Sequence, residues 1–346
     1  MSGRVRVALF WMFVAVCVGS AILYVRWRTA AADRAAVASV PTFDLKQPDV
    51  IAMLDGMRET PRLLFQSASA YGRIGVVPLD HSGDQKILDT LECERSHFGR
   101  QGGVCLVLNR DSMQPRAFAY FLDHHFKQLG RLDLAGLPIR ARVSADGRHA
   151  ASTVFVTGEN YASEDFTTRT TIYDMATRQP IAELEQFTVE RDGRPFRSVD
   201  FNFWGVTFRQ DSNRFLATLG TGGKRFLVDG DIAQRKFRVI ADDVECPSLA
   251  PDERHVVFKR QRVRAAGWQL WAMNLASGES WPITEDQQDI DDQVEWLDNT
   301  RVLYGMVLGS GLPEQALSLW STRIDQAAGK NREFFLRSAW SPAVIR

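Results

Sequence analysis

The chain has 346 residues, of which 45% are apolar, so it is long enough for a large buried core and is not a wholly disordered protein. Its 42 basic and 42 acidic residues give a formal net charge of zero. This balance argues against a general electrostatic role on nucleic acid or acidic lipid, because both need an excess of basic surface. We therefore expect no nucleic-acid partner.

An uncharged apolar run of 19 residues occupies positions 7–25, after a short basic head at 1–6. As a helix it would be roughly 28 Å long, close to the ~30 Å hydrocarbon core of a bilayer. We predict a single transmembrane signal anchor, with residues 1–6 in the cytoplasm and the body in the periplasm or at the cell surface. A cleaved signal peptide ending near Ala30-Ala31-Ala32 and a buried soluble helix are the alternatives.

Residues 26–60 follow the apolar run and are rich in Ala, Arg and Asp. Pro41 and Pro48 interrupt any long helix in this stretch, although Asp49 to Met57 are compatible with a short helical turn. The stretch is too short for an independent domain of ordinary size. We interpret it as a tether to a domain that spans residues 61–346.

Near-copies of one short pattern recur through the last two thirds of the chain. Each is a short strand, a polar turn containing Asp, and a second strand rich in β-branched and aromatic residues. The aspartates are Asp146, Asp211, Asp252 and Asp298, about 65, 41 and 46 residues apart. Since propeller blades are about 40–50 residues long, the wide interval is one blade plus an insertion, which we place at Thr188 to Phe201.

Six four-stranded blades can be counted in residues 61–346, but the first blade lacks its inner strand. The C-terminal Ala339-Trp340-Ser341-Pro342 resembles an inner strand that has no second strand after it. We therefore predict an all-β, six-bladed β-propeller whose C-terminal strand completes the first blade and leaves no exposed edge at the seam. A β-sandwich and an irregular β-solenoid are the alternative folds.

Two of the four cysteines lie on either side of a glycine-rich turn. With a hairpin centred near Gly99, Cys93 and Cys105 would be directly opposite each other on paired strands, with Cα atoms near 5.5 Å apart. We predict a disulfide between them, formed after export to an oxidising compartment; two buried thiols are the alternative. Cys246 is interpreted as a small core residue.

The sequence contains no pattern typical of a metal or cofactor site, and none is predicted. It has no CxxC pair and no HExxH motif, and strand alternation would send the adjacent His124 and His125 to opposite faces. The acidic run 285–292 lacks the spacing of a twelve-residue calcium loop and is interpreted as a solvated connection. No GxSxG motif occurs, so we predict no catalytic residue.

The positions at which inner strands begin supply a polar funnel around the central channel. Propellers generally place ligand or partner contacts at such a mouth, while the alternative is that these side chains pair with one another and with water. Among the aromatic residues, Trp204 is the best candidate for a functional role. The predicted binding residues are Arg95, His97, Arg140, Arg142, Asn202, Trp204, Glu245, Asp291, Asp292 and Gln293.

Several stretches resemble the TolB-like family of β-propellers, whose blades carry S-P-D-G-R before a strand. The nearest matches are Leu249-Ala250-Pro251-Asp252 and Ser144-Ala145-Asp146-Gly147-Arg148, and Trp268 to Gly278 resembles the family's third strand and following turn. Asp200 to Asp211, Val244 to Ser248 and Asp291 to Trp296 resemble membrane-anchored "TolB-like translocation proteins". The resemblance covers about residues 60–346.

The resemblance implies a six-bladed propeller that works by protein–protein contacts, as TolB does in the periplasmic Tol–Pal machinery. TolB carries a folded α/β domain where this chain has a tether, so a direct Tol–Pal role is not implied. We predict a non-catalytic, membrane-anchored scaffold that binds an envelope protein. The alternatives are an enzyme acting on carbohydrate or peptide in the funnel, with His97, Arg142, Asp291 and Asp292 converging there, and a small-ligand or metal sensor.

Overall fold

The computed structural model describes residues 4–5, 9, 11–24, 42–56, 60–80, 85–110, 115–158, 166–262, 267–286, 289–307 and 317–346. The chain divides into two units, Met1–Pro41 and Thr42–Arg346.

In the first unit, residues 11–24 are helical and mostly exposed. They belong to the run 7–25, of which residues 7, 8, 10 and 25 lie outside the described residues. No helix in the described part of the chain combines the length and apolar character needed to cross a bilayer. The structure therefore does not support the predicted transmembrane helix. Most of the predicted head, and residues 26–41 of the predicted tether, also lie outside the described residues.

The second unit begins with a short helix, α1 (Pro48–Gly56), within the stretch interpreted as a tether. Val50 and Leu54 lie four residues apart on one face of α1, and both pack into the apolar cluster of the neighbouring blades. Phe43 forms an isolated parallel bridge with Leu88. This part of the stretch is thus packed onto the propeller by its own apolar side chains.

Six sheets follow, and their hydrogen-bonding order is that of six propeller blades. Their strands are β1 (Arg62–Ser67), β2 (Ile74–Pro78), β3 (Lys86–Ile87), β4 (Arg95–Gly99), β5 (Gly102–Asn109), β6 (Arg116–Asp123), β7 (Gln128–Leu134), β8 (Leu137–Val143), β9 (His149–Thr157), β10 (Thr167–Asp174), β11 (Gln179–Glu183), β12 (Thr188–Arg191), β13 (Arg194–Phe196), β14 (Asn202–Phe208), β15 (Arg214–Thr221), β16 (Lys224–Asp231), β17 (Lys236–Asp242), β18 (Glu245–Leu249), β19 (His255–Gln261), β20 (Trp268–Asn274), β21 (Ser280–Pro282), β22 (Glu295–Trp296), β23 (Arg301–Val307), β24 (Leu317–Arg323), β25 (Glu333–Leu336) and β26 (Ala339–Ile345).

The first blade has the order β26-β1-β2-β3, so its inner strand comes from the C-terminus. β26 pairs antiparallel with β1, with Arg62 opposite Ile345 and Ser67 opposite Ala339. The other blades are β4–β7, β8–β11, β14–β17, β18–β21 and β22–β25. The prediction of a six-bladed propeller closed by its C-terminal strand is confirmed.

The predicted insertion forms an outward extension of the fourth blade. After a single 3-10 turn, Leu184–Gln186, β12 and β13 form a hairpin, and β12 runs parallel to β17. Phe187 and Val189 are buried in the apolar cluster between the third and fourth blades. The fourth sheet therefore has six strands, and the added pair is held by apolar packing as well as by the ladder.

The repeated aspartates all close the turn between the first and second strands of their blades. In each case the Oδ1 atom accepts a hydrogen bond from the backbone N–H two residues later, at 2.7–3.0 Å. This local geometry explains why Asp recurs at the same point of each repeat.

The disulfide between Cys93 and Cys105 is confirmed, with Cα atoms 5.3 Å apart. The predicted opposed positions are wrong, because the turn lies one to two residues later than Gly99 and places Ser96 opposite Cys105. Cys93 instead precedes β4, in the connection from the first blade, where its N–H donates to the Gly72 carbonyl at 2.8 Å. The disulfide therefore fastens this connection to the second blade.

His124 and His125 do not alternate across a strand, which corrects the expectation from the sequence. β6 ends at Asp123, so both histidines lie in the turn to β7, where Phe126 has a φ of 64°. Their rings lie 4.0 Å apart, centroid to centroid.

Candidate functional site: the central channel

The predicted binding residues lie on, or just before, the inner strands of blades two to six. The structure places them in three settings. Some meet near the ends of the inner strands, some lie near the beginnings of these strands, and the remainder are packed between blades.

The exit cluster consists of His97, Arg142, Ser248 and Glu295, from four different blades. Arg142 Nη1 donates to Glu295 Oε2 at 2.6 Å, and its Nη2 donates to Ser248 Oγ at 3.3 Å. Glu295 is 7% exposed. Burial alone would raise its pKa, but Arg142 and His97 outweigh this effect and the pKa is lowered. The cluster therefore holds an ionised, internally paired carboxylate.

Both ring nitrogens of His97 are engaged within the protein. The Val143 N–H donates to Nδ1 at 3.1 Å, so the proton of the neutral imidazole belongs on Nε2, which lies 3.4 Å from Glu295 Oε2. Burial and the neighbouring Arg142 lower the pKa of His97, which favours this neutral form. With neither nitrogen directed at open space, His97 is positioned to orient Glu295 rather than to accept a proton from a substrate.

A cavity of about 340 Å³ lies against the exit cluster, at the end of the channel near the aspartate turns. Arg100 Nε donates to the Arg346 carbonyl at 2.6 Å, and Arg346 Nη2 donates to the Trp296 carbonyl at 2.8 Å. These bonds fix part of the cavity rim. Apolar and charged groups are mixed around the remainder, including Phe208, Pro251, Glu253 and Val344.

The entry cluster consists of Arg140, Glu245, Lys259 and Asp291, nearer the beginnings of the inner strands. Lys259 was not among the predicted residues, because it lies on β19, the second strand of its blade. It is 2% exposed and forms an ion pair with the exposed Asp291. Burial opposes the charged form of Lys259, but Asp291 outweighs burial and the pKa of the ammonium is raised. The pairing of β18 with β19, which places Lys259 opposite Glu245, is the signal that could have identified Lys259 as a channel residue.

Glu245 is 1% exposed, and its Oε2 lies 2.5 Å from Arg225 Nε. Burial raises its pKa to about 7, although Arg225 and Lys259 act in the opposite direction. A second cavity, of about 360 Å³, lies beside Glu245 between the fourth and fifth blades. Glu245 is thus a buried carboxyl that changes charge near neutral pH.

Two arginines of the channel differ in their pairing. Arg95 Nε donates to the Ile139 carbonyl at 2.9 Å, and its guanidinium lies 4.8 Å from the centre of the Trp340 ring. Arg140 is half-buried, and its guanidinium has no hydrogen bond or ion pair with any residue that the structure describes. It lies within electrostatic range of Asp291, because Lys259 and then Arg140 lower the pKa of that carboxyl against the effect of burial.

The remaining predicted residues connect neighbouring blades. Asp292 Oδ2 accepts hydrogen bonds from the N–H groups of Gly305 and Ser341, both at 2.8 Å, and so joins the sixth blade to β26. Burial raises its pKa against the effect of these bonds. Gln293 is 3% exposed, and neither polar atom of its amide has a hydrogen-bond partner among the described residues.

Asn202 and Trp204 belong to the contact between the third and fourth blades. Asn202 Oδ1 accepts a hydrogen bond from the Thr168 N–H at 2.7 Å. Trp204 is 1% exposed, packs edge-on against Phe166, and leaves no room for a Cβ at Gly220. A ligand in the channel would not touch this indole.

No protein-family model matches the chain, and no curated protein matches it. Among solved structures, TolB from Acinetobacter baumannii is similar, with 12% identity and a TM-score of 0.55 over 83% of this chain and 66% of that chain. This chain thus spans slightly less than two thirds of the length of that TolB. The fold is that of a TolB-like six-bladed propeller.

A chain of a nidogen/laminin complex is also similar to this TolB-like propeller, with 12% identity and a TM-score of 0.51 over 82% of this chain and 98% of that chain. The putative TolB from Agrobacterium tumefaciens is 12% identical, with a TM-score of 0.49 over 82% of this chain and 91% of that chain. Identities this low show the fold of this TolB-like propeller alone and carry no information about its function.

Proposed function

We propose that this protein is a non-catalytic, membrane-anchored propeller that works outside the cytoplasm as a binding scaffold for another protein of the cell envelope. The partner contacts the rim of the exit cavity. The observation that carries the proposal is the pairing of His97 and Arg142 with Glu295 beside the exit cavity, which leaves a rigid, preorganised surface there rather than a reactive group.

The arrangement of the channel favours binding over catalysis. An enzyme in the funnel would need His97, Arg142, Asp291 and Asp292 to converge on one open pocket. Instead, His97 and Arg142 pair with Glu295, Asp291 pairs with Lys259, and Asp292 accepts two backbone N–H groups between blades.

The rim of the exit cavity has the mixed character of a protein-binding surface. Pro251, Phe208 and Val344 supply apolar contact area, and Arg100, Glu253 and Arg346 supply charge. Because the backbone bonds of Arg100 and Arg346 already order part of this rim, a partner that docks there loses little additional conformational freedom.

Two features support a location outside the cytoplasm. The Cys93–Cys105 disulfide is of the kind that persists in oxidising compartments and is rare in the cytosol. The anchor in this proposal rests on the uncharged run 7–25, whose length suits a bilayer.

Site-specific photo-crosslinking in native membranes tests the scaffold. A photoreactive residue replaces Ala145, which is exposed and lines the exit cavity. The control replaces Leu129, which is 47% exposed on the outer strand β7. We expect one adduct, containing the same envelope protein in repeated experiments, from Ala145 and none from Leu129.

Equal adducts at both positions, or no adduct at Ala145, would contradict docking at the exit cavity.

The same membranes test the anchor by alkaline extraction. The full chain should stay with the lipid, whereas a chain starting at residue 42 and exported by a cleavable signal should be released.

A further inference from the structure

A group of metal-ligating side chains lies away from the channel, where α1 meets the turn between β6 and β7. Asp55 Oδ1 is 2.7 Å from His125 Nε2 and 3.8 Å from His124 Nε2. The three candidate ligand atoms lie within 4.8 Å of one another. Asp55 is exposed and the two histidines are half-buried, so the site is open to solvent.

Two rigid supports hold these side chains together. Asp123 Oδ1 accepts hydrogen bonds from the N–H groups of His125 and Lys127, both at 2.9 Å, and so fixes the turn that carries the histidines. On the other side, Val50 and Leu54 of α1 are buried in the same apolar cluster as Phe126. The three candidate ligands are therefore brought together by hydrogen bonds and packing that do not depend on an ion.

We propose that Asp55, His124 and His125 form a binding site for a divalent transition metal ion of the Zn²⁺ class. Two imidazoles and one carboxylate are a donor set that suits Zn²⁺, whereas Ca²⁺ and Mg²⁺ prefer oxygen ligands throughout. Bonds of about 2.0–2.1 Å in a tetrahedral site separate the ligand atoms by about 3.3 Å. In the structure, Asp55 Oδ1 lies 2.7 Å from one histidine nitrogen and 3.8 Å from the other, on either side of this value.

The ion would fasten α1 to the second blade. Asp55 is the penultimate residue of α1, and the chain enters β1 a few residues later, at Arg62. Three protein ligands leave a fourth position for water or for a donor from a partner. The alternative is a pair of histidine–aspartate hydrogen bonds with no affinity for metal, and metal titration distinguishes the two.

The test uses the full chain, purified in detergent and freed of metal with a chelator. This protein is then titrated with Zn²⁺ in competition with a chromophoric chelator. We expect one equivalent of Zn²⁺ to bind. The double variant His124→Ala/His125→Ala should lose more affinity than the roughly 10- to 100-fold cost of removing an outer-shell partner. His149→Gln, which removes an imidazole between the third and fourth blades, should bind as the wild type does.

Substitution with Co²⁺ provides a second measurement. The wild type should give the visible absorption of a four-coordinate nitrogen- and oxygen-ligated ion, without the charge-transfer band that a thiolate such as Cys17 would add. Asp55→Asn keeps the size of the side chain and should weaken this absorption. Absence of tight Zn²⁺ binding to the wild type, or binding unchanged in both ligand variants, would overturn the proposal.

Discussion

Glu245 illustrates at the residue scale how burial between the fourth and fifth blades changes the chemistry of one side chain. Its pKa is about 7 in the folded protein and 4.5 in an ordinary solvated setting. The folded protein therefore holds this proton more tightly than the unfolded chain does. The resulting stabilisation is fully present below pH 4.5 and is lost as the pH rises through 7.

We expect the free energy of unfolding of the wild type to fall by about 2–3 kcal/mol more than that of Glu245→Gln between pH 5 and pH 8. The neutral amide of the variant cannot titrate, so it removes this part of the pH dependence. Denaturant titrations at the two pH values provide the measurement. Glu333→Gln, at an exposed position on β25, is the control and should keep the wild-type dependence. If the free energy of unfolding changed by the same amount between pH 5 and pH 8 in the wild type and in Glu245→Gln, Glu245 would already be ionised at pH 5.

At the scale of the element, the disulfide fastens the connection between the first and second blades, which the hydrogen bonds between strands do not hold. Cys93 lies in the connection between the first and second blades, and Cys105 lies on β5. Both belong to the apolar cluster that also receives α1. The connection, α1 and the second blade are therefore expected to unfold together.

Replacing both cysteines by alanine should lower the free energy of unfolding by about 3 kcal/mol, because the closed loop is short and its constraint on the unfolded chain is correspondingly modest. Thermal and denaturant unfolding under oxidising conditions measure the change. Cys17→Ala, outside the second unit, should leave the propeller unchanged. If a reductant left the free energy of unfolding of the wild type unchanged, the disulfide would not supply this stability.

For the whole molecule, closure by β26 is the contact on which the ring depends. β26 supplies Ala339, Ala343 and Ile345 as buried residues, and its Ser341 N–H donates a hydrogen bond to the Asp292 carboxylate of the sixth blade. Without β26, the edge of β1 and the apolar faces of two blades would be exposed.

Deleting residues 339–346 should therefore yield an insoluble or largely unfolded chain, measured by soluble expression and by size-exclusion chromatography. The matched control is a circular permutant of residues 60–346, compared with the same residues in their natural order. Residues 338–346 are placed before residue 60 and joined to it by a short Asn-Gly turn, so that β26 and β1 become a hairpin. Its composition is nearly unchanged, and we expect it to fold. A soluble, cooperatively folding deletion variant would contradict the role of β26 in closure.

The burial of Trp204 beside the channel could not be predicted from the sequence. Trp204 was expected at the mouth, but the ladder between β14 and β15 shifts register after Trp204, where Gly205 has a φ of 69°. Such a bulge breaks the alternation of faces on which the prediction depended. Cys246 and Ser341 have φ values of 50° and 48° at the corresponding points of β18 and β26.

By itself, the sequence determined the repeating unit, the number of blades and the strand that closes the ring. The repeating unit follows from local chemistry, since in four blades the turn is closed by an aspartate bonded to a backbone group two residues away. The blade count and the closing strand follow from the spacing of these turns and from the unmatched inner strand at the C-terminus. The disulfide partners were also predictable, because they are only 12 residues apart.

Only the tertiary structure decided which polar side chains meet. Glu295 reaches Arg142 across 153 residues of sequence and His97 across 198, and Asp55 reaches His125 across 70. Contacts of this kind depend on how the blades are arranged around the ring and on which face a bulged strand presents. A pattern that repeats within each blade carries no information about either.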